Sequence, residues 1–516
     1  MRSRVAAACA VVVVIGALAT ATGSPAAAGE ASLRGGGRAA TYTAGGKAAP
    51  GIAPLLAPRG QVYDTKMTTQ EPSMGISRDG QMYIDTTSGG PSVATSSDWG
   101  KTWTSVKPGH SRSFDPFLYV DPVTGRVFSV DYQLACQQVS YSDDHGKTWK
   151  TNSQASCEIT DHENLFAGPA PKDGATPSGY PNVVYMCGNG GGIGVVFFSH
   201  VAQLCDKSLD GGATWQPVGT PPYMNGLNQG ADGDAEVPGN CNADSGHGYV
   251  GPDGTVYVPR GWCGQPWLAI SHDEGQTWNR VQVADNGMFG GPEDAVGDNT
   301  FVFDHEAAVA ADADGNIFYF WVARDRMPYL AVSHDDGKTW AKPMNVAPPG
   351  LTQSALPALD VGAAGKIAMA FMGSTNAPKK PFPDDKDCAA GGLDCDRHEE
   401  AYKDATWNGY IVETANAAAS KPVFYGGPIN SPKQPFLHGG PCGPVRCLQE
   451  LDFIDVVVGP DGSPWSVFVD ACLTGTTCNG QGAVVGRLVG GPSLCGGDAG
   501  MSECPVPKSK NVAGDA

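Results

Sequence analysis

An eight-residue motif repeats five times in this chain and constrains its fold more than any other feature. The motif reads Ser-x-Asp-x-Gly-x-Thr-Trp, and we call each copy an octet. The octets occupy residues 96–103, 142–149, 208–215, 271–278 and 333–340. The Asp and Ser side chains suit the backbone of a tight turn, and Gly supplies a positive φ. Each octet therefore predicts a hairpin turn whose Thr and Trp begin the returning strand. We interpret the five Asp residues as structural, because a reaction does not need one acid in five copies.

A second hairpin precedes each octet, so that one unit reads as four strands. Extended runs flank turns such as Asp79-Gly80 and Asp253-Gly254. Two more units, within residues 356–372 and 452–472, keep the first hairpin and lack a good octet. The 70 Gly and 40 Pro among 516 residues agree with many short strands joined by turns. The seven units predict an all-β fold, a β-propeller of seven four-stranded blades, with six blades as the alternative.

The octet resembles the Asp-box, or BNR repeat, of sialidases and related β-propeller proteins. The resemblance covers residue 71 to about residue 490. It implies that the octets join the third and fourth strands at one rim, and that a ligand site lies on the opposite face. That face is then built by the segments that enter the first strand and leave the second strand of each blade. Because Asp-boxes also occur in other glycosidases and in propellers without catalysis, the motif predicts the fold better than the activity.

Carboxylate, His and Arg side chains recur at these two positions, and together they are the parts of a glycan site. The candidate catalytic residues are Asp115, His162, Glu163, Asp304, His305 and Glu306. The candidate substrate-binding residues are Glu71, Asp131, Tyr132, His247, Arg260 and Arg324.

Two constellations stand out within this set. Asp-His-Glu occurs at residues 161–163 and again at 304–306, which suggests a general acid and a general base. A calcium site and a repeated hydrogen-bonded strand start are the alternatives. Arg260 and Arg324 hold equivalent positions in adjacent units and suit a carboxylate clamp, because guanidinium binds carboxylate in a bidentate manner. Pairing of either Arg with Asp304 or Glu306 is the alternative.

The sialidase pattern is matched only in part. Resemblance to a sialidase implies three Arg around the sialic acid carboxylate, a Tyr nucleophile paired with Glu, and an Asp acid/base. The chain has Arg59-Gly60 where that family carries Arg-Ile-Pro, and no third Arg is clearly placed. We therefore favour a glycoside hydrolase of sialidase-like fold that uses paired carboxylates. The alternatives are a polysaccharide lyase using His or Tyr with Arg, a non-catalytic glycan- or protein-binding propeller, and a true sialidase.

The N-terminus has the features of a secretory signal peptide. Arg2 and Arg4 precede an apolar run, and Ala26-Ala27-Ala28 supplies a cleavage signal, so we expect removal of residues 1–28 and a secreted protein. The cut leaves 14 of the 15 cysteines, for which disulfides are expected in an oxidising compartment. The expected local pairs are Cys136 with Cys157, Cys187 with Cys205, Cys241 with Cys263, Cys388 with Cys395, Cys442 with Cys447, Cys472 with Cys478, and Cys495 with Cys504.

The net charge of −19 argues against nucleic acid or an anionic membrane as a partner, since both require a basic face. We expect a monomer that binds an extracellular glycan or polysaccharide without a cofactor, with calcium as the alternative. The predicted domains are a flexible Ala/Gly-rich lead-in at 29–58, a single propeller at 59–497 with an insert at 377–406, and a tail at 498–516.

Overall fold

The protein is represented by a computed structural model, and the architecture below concerns one part of the chain. The described residues are 38–41, 59–86, 93–108, 116–133, 136–175, 177–190, 202–224, 245–262, 265–288, 307–378, 402–439, 453–473 and 480–496. The predicted signal peptide, the predicted tail and most of the predicted insert lie outside these ranges. Within them, no helix is long and apolar enough to cross a bilayer.

The described strands form seven antiparallel sheets. Two strands precede the first blade: β1 (Arg38–Thr41) and β2 (Arg59–Thr68). Blade 1 comprises β3 (Met74–Ile76), β4 (Met82–Asp85), β5 (Val93–Ser96) and β6 (Thr104–Val106). Blade 2 comprises β7 (Phe117–Val120), β8 (Val127–Gln133), β9 (Cys136–Ser142) and β10 (Lys150–Ser156). Blade 3 comprises β11 (Ile159–Gly168), β12 (Val183–Gly190), β13 (Ala202–Ser208), β14 (Gln216–Pro217) and β15 (Tyr223–Met224).

Blades 4 to 7 follow the same pattern. Blade 4 comprises β16 (Tyr249–Val250), β17 (Val256–Trp262), β18 (Gln265–Ser271) and β19 (Asn279–Gln282). Blade 5 comprises β20 (Ala308–Ala311), β21 (Ile317–Val322), β22 (Pro328–Ser333) and β23 (Met344–Asn345). Blade 6 comprises β24 (Gln353–Val361), β25 (Ile367–Ser374), β26 (Thr406–Thr414), β27 (Tyr425–Pro428) and β28 (Leu437–His438). Blade 7 contains β29 (Asp455–Val458), β30 (Pro464–Asp470) and β31 (Gly482–Val489).

The first strands of the blades surround a central axis. Each contacts the next, in the order β3, β7, β11, β16, β20, β24, β29 and back to β3. Buried apolar residues of adjacent sheets pack between the blades, as β30 of blade 7 does against β4 and β5 of blade 1. The prediction of a seven-bladed propeller is therefore confirmed, and the six-bladed alternative is wrong.

A strand from the N-terminal region completes the last blade. Strand β2 pairs with β31 antiparallel, so that blade 7 takes its outer strand from before blade 1. Strand β1 pairs with β2 and lies within residues 29–58, which the sequence predicts as a flexible lead-in. The repeat pattern did not predict this ring closure, because β2 carries neither an octet nor a hairpin of its own.

The octets form the hairpin turns between the third and fourth strands of blades 1 to 5. In the second octet, Ser142 Oγ accepts from Gly146 N at 3.0 Å and donates to Asp144 Oδ1 at 2.8 Å. Asp144 also accepts from Thr148 N at 2.8 Å and from Thr148 Oγ1 at 2.6 Å. The same four bonds recur in the other octets. The hydrogen bonds from Thr148 lower the pKa of Asp144 to about 2, so this carboxylate stays charged.

Blade 6 builds a similar turn from different residues. Thr414 Oγ1 donates to Asn416 Oδ1 at 3.0 Å, and Val423 N donates to the same oxygen at 2.9 Å. Thr and Asn thus replace the octet Ser and Asp, and the second donor lies seven residues along the chain. The sequence search missed this turn because the octet spacing is lost.

Polar side chains link the innermost strands of neighbouring blades through hydrogen bonds. Each accepts a hydrogen bond from a backbone N–H of the next blade. The pairs are Ser73 with Leu118 at 2.7 Å, Asn164 with Gly248 at 3.1 Å, Asp360 with Val458 at 2.7 Å, and Asp455 with Met74 at 3.0 Å. These bonds satisfy backbone donors at the free edges of the innermost strands.

Two of the predicted disulfides fall within the described residues and are confirmed. Cys136 is bonded to Cys157, and Cys187 to Cys205. Cys472 and Cys495 are each part of a disulfide as well. The other predicted pairings involve cysteines outside the described residues.

Candidate functional site

The blades have two chemically different ends. We call the end that carries the octets and the first-hairpin turns the turn end. The opposite end, which we call the site end, is where β4, β8, β12, β17 and β21 finish and where β7 and β11 begin. The resemblance to Asp-box propellers implies a ligand site at this second end.

Three predicted acids of the site end lie inside the protein. Glu71 precedes β3, Asp131 is near the end of β8, and Glu163 is near the start of β11. Each is at most 4% exposed. Buried carboxylates are uncommon in proteins, and these three acids are not solvated loop residues.

Tyr132 of blade 2 lies within electrostatic range of Glu163 of blade 3. Tyr132 is partly exposed, whereas Glu163 is buried. Burial and the nearby Glu163 charge raise the pKa of Tyr132, so its hydroxyl stays protonated at neutral pH. A partly exposed phenol beside a buried carboxylate is an arrangement in which the carboxylate can take the phenol proton.

His162 sits in an irregular part of β11. Its φ is 49°, in the left-handed region, and the register with β12 shifts between Asp161 and Asn164. Its Nε2 lies 3.8 Å from Asp161 Oδ2. Leu356 in blade 6 has a similar φ of 56° at a similar register shift, so the bulge is a feature of two blades and does not by itself indicate catalysis.

Four rings from different blades meet on the propeller axis at the site end. The ring of His247 lies 5.4 Å from that of Phe117 and 5.3 Å from that of Phe453, in both cases edge to face. The ring of His162 lies 6.5 Å from that of Phe453. We call Phe117, His162, His247 and Phe453 the ring cluster. It holds two of the predicted histidines around one phenylalanine, which makes them part of an aromatic layer.

Arginine side chains of blades 4 and 5 lie at the same end. Arg260 is fully buried, with its guanidinium carbon 5.9 Å from the centre of the Tyr223 ring. Arg324 follows β21 and is partly exposed. Arg326, two residues later, is buried and donates from Nη1 to Gln353 Oε1 at 3.3 Å. Arg326 is thus a further arginine at the site end, with one of its donors held by the neutral Gln353.

Asp85 is an acid at this end that the list of candidate residues omits. It ends β4, as Asp131 lies near the end of β8, and it is fully buried. Its Oδ1 accepts from Ser73 N at 2.5 Å. Burial, reinforced by the Asp131 charge, raises the pKa of Asp85 well above its usual range. The only sequence signal for this residue was its position at the end of a second strand.

The remaining predicted catalytic residues are not placed by the structure. Asp115, Asp304, His305 and Glu306 lie outside the described residues. Among the described residues, no group of three His, Cys, Asp or Glu side chains could hold a metal ion.

Comparison with known proteins identifies the repeat directly. The BNR/Asp-box repeat family model matches residues 140–151, which contain the second octet. The chain therefore carries Asp-box repeats on a seven-bladed propeller. A search of characterised proteins found no significant match.

Solved structures resemble the chain at low identity. YCF48 bound to D1 peptide is 10% identical over 86% of this chain and 99% of that chain, with a TM-score of 0.46. The NanB sialidase of Streptococcus pneumoniae is 14% identical over 83% of this chain and 70% of that chain, with a TM-score of 0.37. The Aleuria aurantia lectin AAL is 10% identical over 72% and 99%, with a TM-score of 0.38. At these identities and scores the matches carry no conclusion about activity.

Proposed function

We propose that the protein is a secreted glycoside hydrolase that acts on extracellular glycans at the site end of the propeller. The observation that carries this proposal is that the charge of the buried Glu163 acts on the partly exposed Tyr132 and raises its pKa. Secretion is supported by the two disulfides, which form and persist in oxidising compartments.

The chemistry follows from the protonation states. Tyr132 begins protonated, because burial and Glu163 raise its pKa, so attack on a sugar requires a base. Glu163 removes the proton as the phenol oxygen bonds to the anomeric carbon and the glycosidic bond breaks. A carboxylic acid at the site end protonates the leaving oxygen, and Asp115, Asp304 and Glu306 are the predicted donors. Water then releases the sugar from Tyr132.

The arginines favour an acidic sugar as the substrate. Arg324 is partly exposed at the site end, and Arg260 lies buried one blade away. Guanidinium groups recognise carboxylates through paired hydrogen bonds, which would orient a sugar acid over Tyr132.

A polysaccharide lyase is the second candidate, favoured by the contact between His162 and Asp161. A carboxylate 3.8 Å from the imidazole Nε2 supports a histidine that takes up a proton. In that reaction His162 removes the proton beside a uronate carboxylate, and Tyr132 donates a proton to the leaving oxygen.

Turnover assays on a panel of acidic and neutral polysaccharides distinguish these reactions. A hydrolase releases new reducing ends without ultraviolet absorbance, whereas a lyase product absorbs. We expect Glu163→Gln and Tyr132→Phe each to reduce the rate by about a hundredfold or more. The matched controls are Asp314→Asn and Tyr425→Phe, which change residues at the turn end. Wild-type rates in either site variant would contradict the assignment of Tyr132 and Glu163, and absence of turnover on every glycan would contradict the enzymatic proposal itself.

A further inference from the structure

A cavity lies along the propeller axis among the innermost strands. It is a cavity of about 560 Å³ lined by the innermost strands and by first-hairpin turns of the turn end. Phe117 and His247 of the ring cluster line its inner end, and Pro122, Pro252 and Pro460 line its mouth. Its volume falls in the range of small-molecule sites, roughly 300–1,000 Å³. Neither the octets nor the proposed reaction uses this cavity.

The cavity wall is mostly apolar and includes the aromatic rings of Phe117, Tyr119, Phe166 and Tyr249. Tyr119, Tyr249, Leu359 and Val457 lie on innermost strands and line the cavity, yet each keeps partial exposure. Burial raises the pKa of Tyr119, so its ring and hydroxyl stay neutral. These side chains keep accessible surface along the propeller axis, which indicates that the cavity is open to small molecules.

Fixed acids lie on one side of this wall. Asp360 Oδ2 accepts from Val458 N at 2.7 Å, and Oδ1 accepts from Val361 N at 2.8 Å. Asp455, in the next blade, accepts from Met74 N at 3.0 Å. A carboxylate oxygen accepts more than one hydrogen bond, so the two bonds of Asp360 do not exhaust its acceptor capacity.

The remaining polar lining agrees with a cationic ligand. Asp312 lies at the mouth, where the exposed Arg78 is a single opposing guanidinium. Asn182 lines the cavity, is 1% exposed, and no described residue donates to its Oδ1. The lining therefore presents acceptors and negative charge, while no trio of described acids, His or Cys converges to hold a metal ion.

We propose that the axial cavity binds a small organic cation, an amine with an apolar body, between Asp360, Asp455 and the rings of Tyr119 and Tyr249. An ammonium group gains from carboxylate acceptors and from aromatic faces, and the apolar body gains from leaving water. A sugar fits this wall poorly, because its hydroxyls need more hydrogen-bond partners than the wall supplies. The site is separate from the one proposed for glycan turnover and does not depend on it.

Binding is expected to strengthen as the pH rises from 6 to 8. Burial, with a smaller effect of the Asp455 charge, raises the pKa of Asp360 to about 7. An ammonium ion favours the ionised carboxylate, so the protonated fraction at low pH opposes binding. The other titratable or charged groups facing this space are Asp312, Asp455, Tyr119, Tyr249, Arg78 and His247.

Isothermal titration of the full chain without its signal peptide tests the proposal. The probe is phenethylamine, and the neutral and anionic controls are phenylethanol and phenylacetate. We expect saturable binding of the amine alone, weakened at least about tenfold by Asp360→Asn. The matched control is Asp314→Asn, an exposed acid in the turn between β20 and β21.

Asp360 also clasps blade 6 to blade 7, so a second variant keeps the test decisive if Asp360→Asn does not fold. Val361→Phe fills the cavity from a lining position and leaves the backbone hydrogen bonds of Asp360 unchanged. We expect it to abolish amine binding while the thermal melting curve stays cooperative. Equal binding of phenylethanol, no amine binding to folded wild-type protein, or full binding by folded Val361→Phe would each overturn the proposal.

Discussion

Blades 1 to 5 and blade 6 treat acidic side chains in opposite ways. In an octet blade, the Asp of the turn is held by donors within four residues, and hydrogen bonds from Thr148 lower the pKa of Asp144 to about 2. In blade 6, the corresponding turn has the neutral Asn416, and the neighbouring acid Glu413 is 1% exposed. Burial raises the pKa of Glu413 to about 8. The octet turns thus contain a charged, locally satisfied acid, whereas blade 6 has a neutral, buried acid one residue before its turn.

Local hydrogen-bond donors and tertiary burial therefore control the protonation state of an acidic side chain independently. Octet donors come from the same eight residues, so every octet yields a similar turn whatever packs around it. Glu413 packs against Gly491, which has no room for a β-carbon, and no described residue donates to either of its carboxylate oxygens. The protonation state of Glu413 therefore depends on residues distant in sequence, such as Gly491.

Replacing Glu413 should produce the largest effect. The raised pKa means that folding favours the protonated acid, so wild-type stability falls as the pH rises from the unfolded value toward 8. We expect wild type to lose about 1 kcal/mol more per pH unit than Glu413→Gln between pH 5 and 8, in urea unfolding. The control is Glu158→Gln, which changes an exposed acid between β10 and β11. Parallel pH profiles for wild type and Glu413→Gln would show that this acid is not neutral in the fold.

Removing the hydrogen-bond acceptor of a turn should lower the free energy of unfolding by a smaller amount, and by more in an octet turn than in the blade 6 turn. Asp273 accepts from Ser271 Oγ and from both N and Oγ1 of Thr277, so Asp273→Ala should cost about 2 kcal/mol. Asn416→Ala removes weaker neutral bonds and should cost about 1 kcal/mol. Denaturant midpoints measure both, with the exposed Asp285→Ala as control. A larger loss for Asn416→Ala would reverse the ranking of charged and neutral turns.

The smallest effect is expected at a contact between octet turns. His272 Nε2 lies 3.1 Å from Asp336 Oδ2, and this hydrogen bond raises the pKa of His272. The resulting stability is present below the ordinary pKa of 6.5 and is lost as the pH rises through the raised value. Because both side chains are well exposed, His272→Gln should cost only about 0.5 kcal/mol at pH 5.5 and less at pH 8.

A matched octet position provides the control for this contact. His334 Nδ1 lies 2.6 Å from the neutral Asn316 Oδ1, so His334→Gln lacks an ion pair to remove. Thermal melts at the two pH values should show a pH-dependent difference for His272→Gln alone. An equal pH dependence in both variants would attribute the effect to histidine burial.

Much of the fold was predictable because its signals are local. Five octets and seven first hairpins predicted four-stranded units, and the structure confirms seven of them. The pairing of β2 with β31 joins segments more than 400 residues apart and leaves no motif in either. The turn at Thr414 and Asn416 was missed because its second donor, Val423, lies outside the octet spacing.

The candidate site was predictable by position and not by environment. Strand order placed Asp131, Tyr132 and Glu163 at one end of the propeller, because antiparallel strands return to the same end. The sequence did not reveal that the Glu163 charge acts on Tyr132, or that Asp85 is buried within electrostatic range of Asp131. Both facts depend on how adjacent blades pack.

Local sequence was enough to predict the repeating unit, the turns of five blades and the end of the propeller at which polar groups gather. Each of these follows from hydrogen bonds and strand alternation within a few residues. Only the tertiary structure decided which acids are buried, which side chains meet across blades, and that an acid-lined cavity occupies the axis. Burial and long-range electrostatics depend on neighbours that the chain supplies from other blades, and local sequence does not encode those distances.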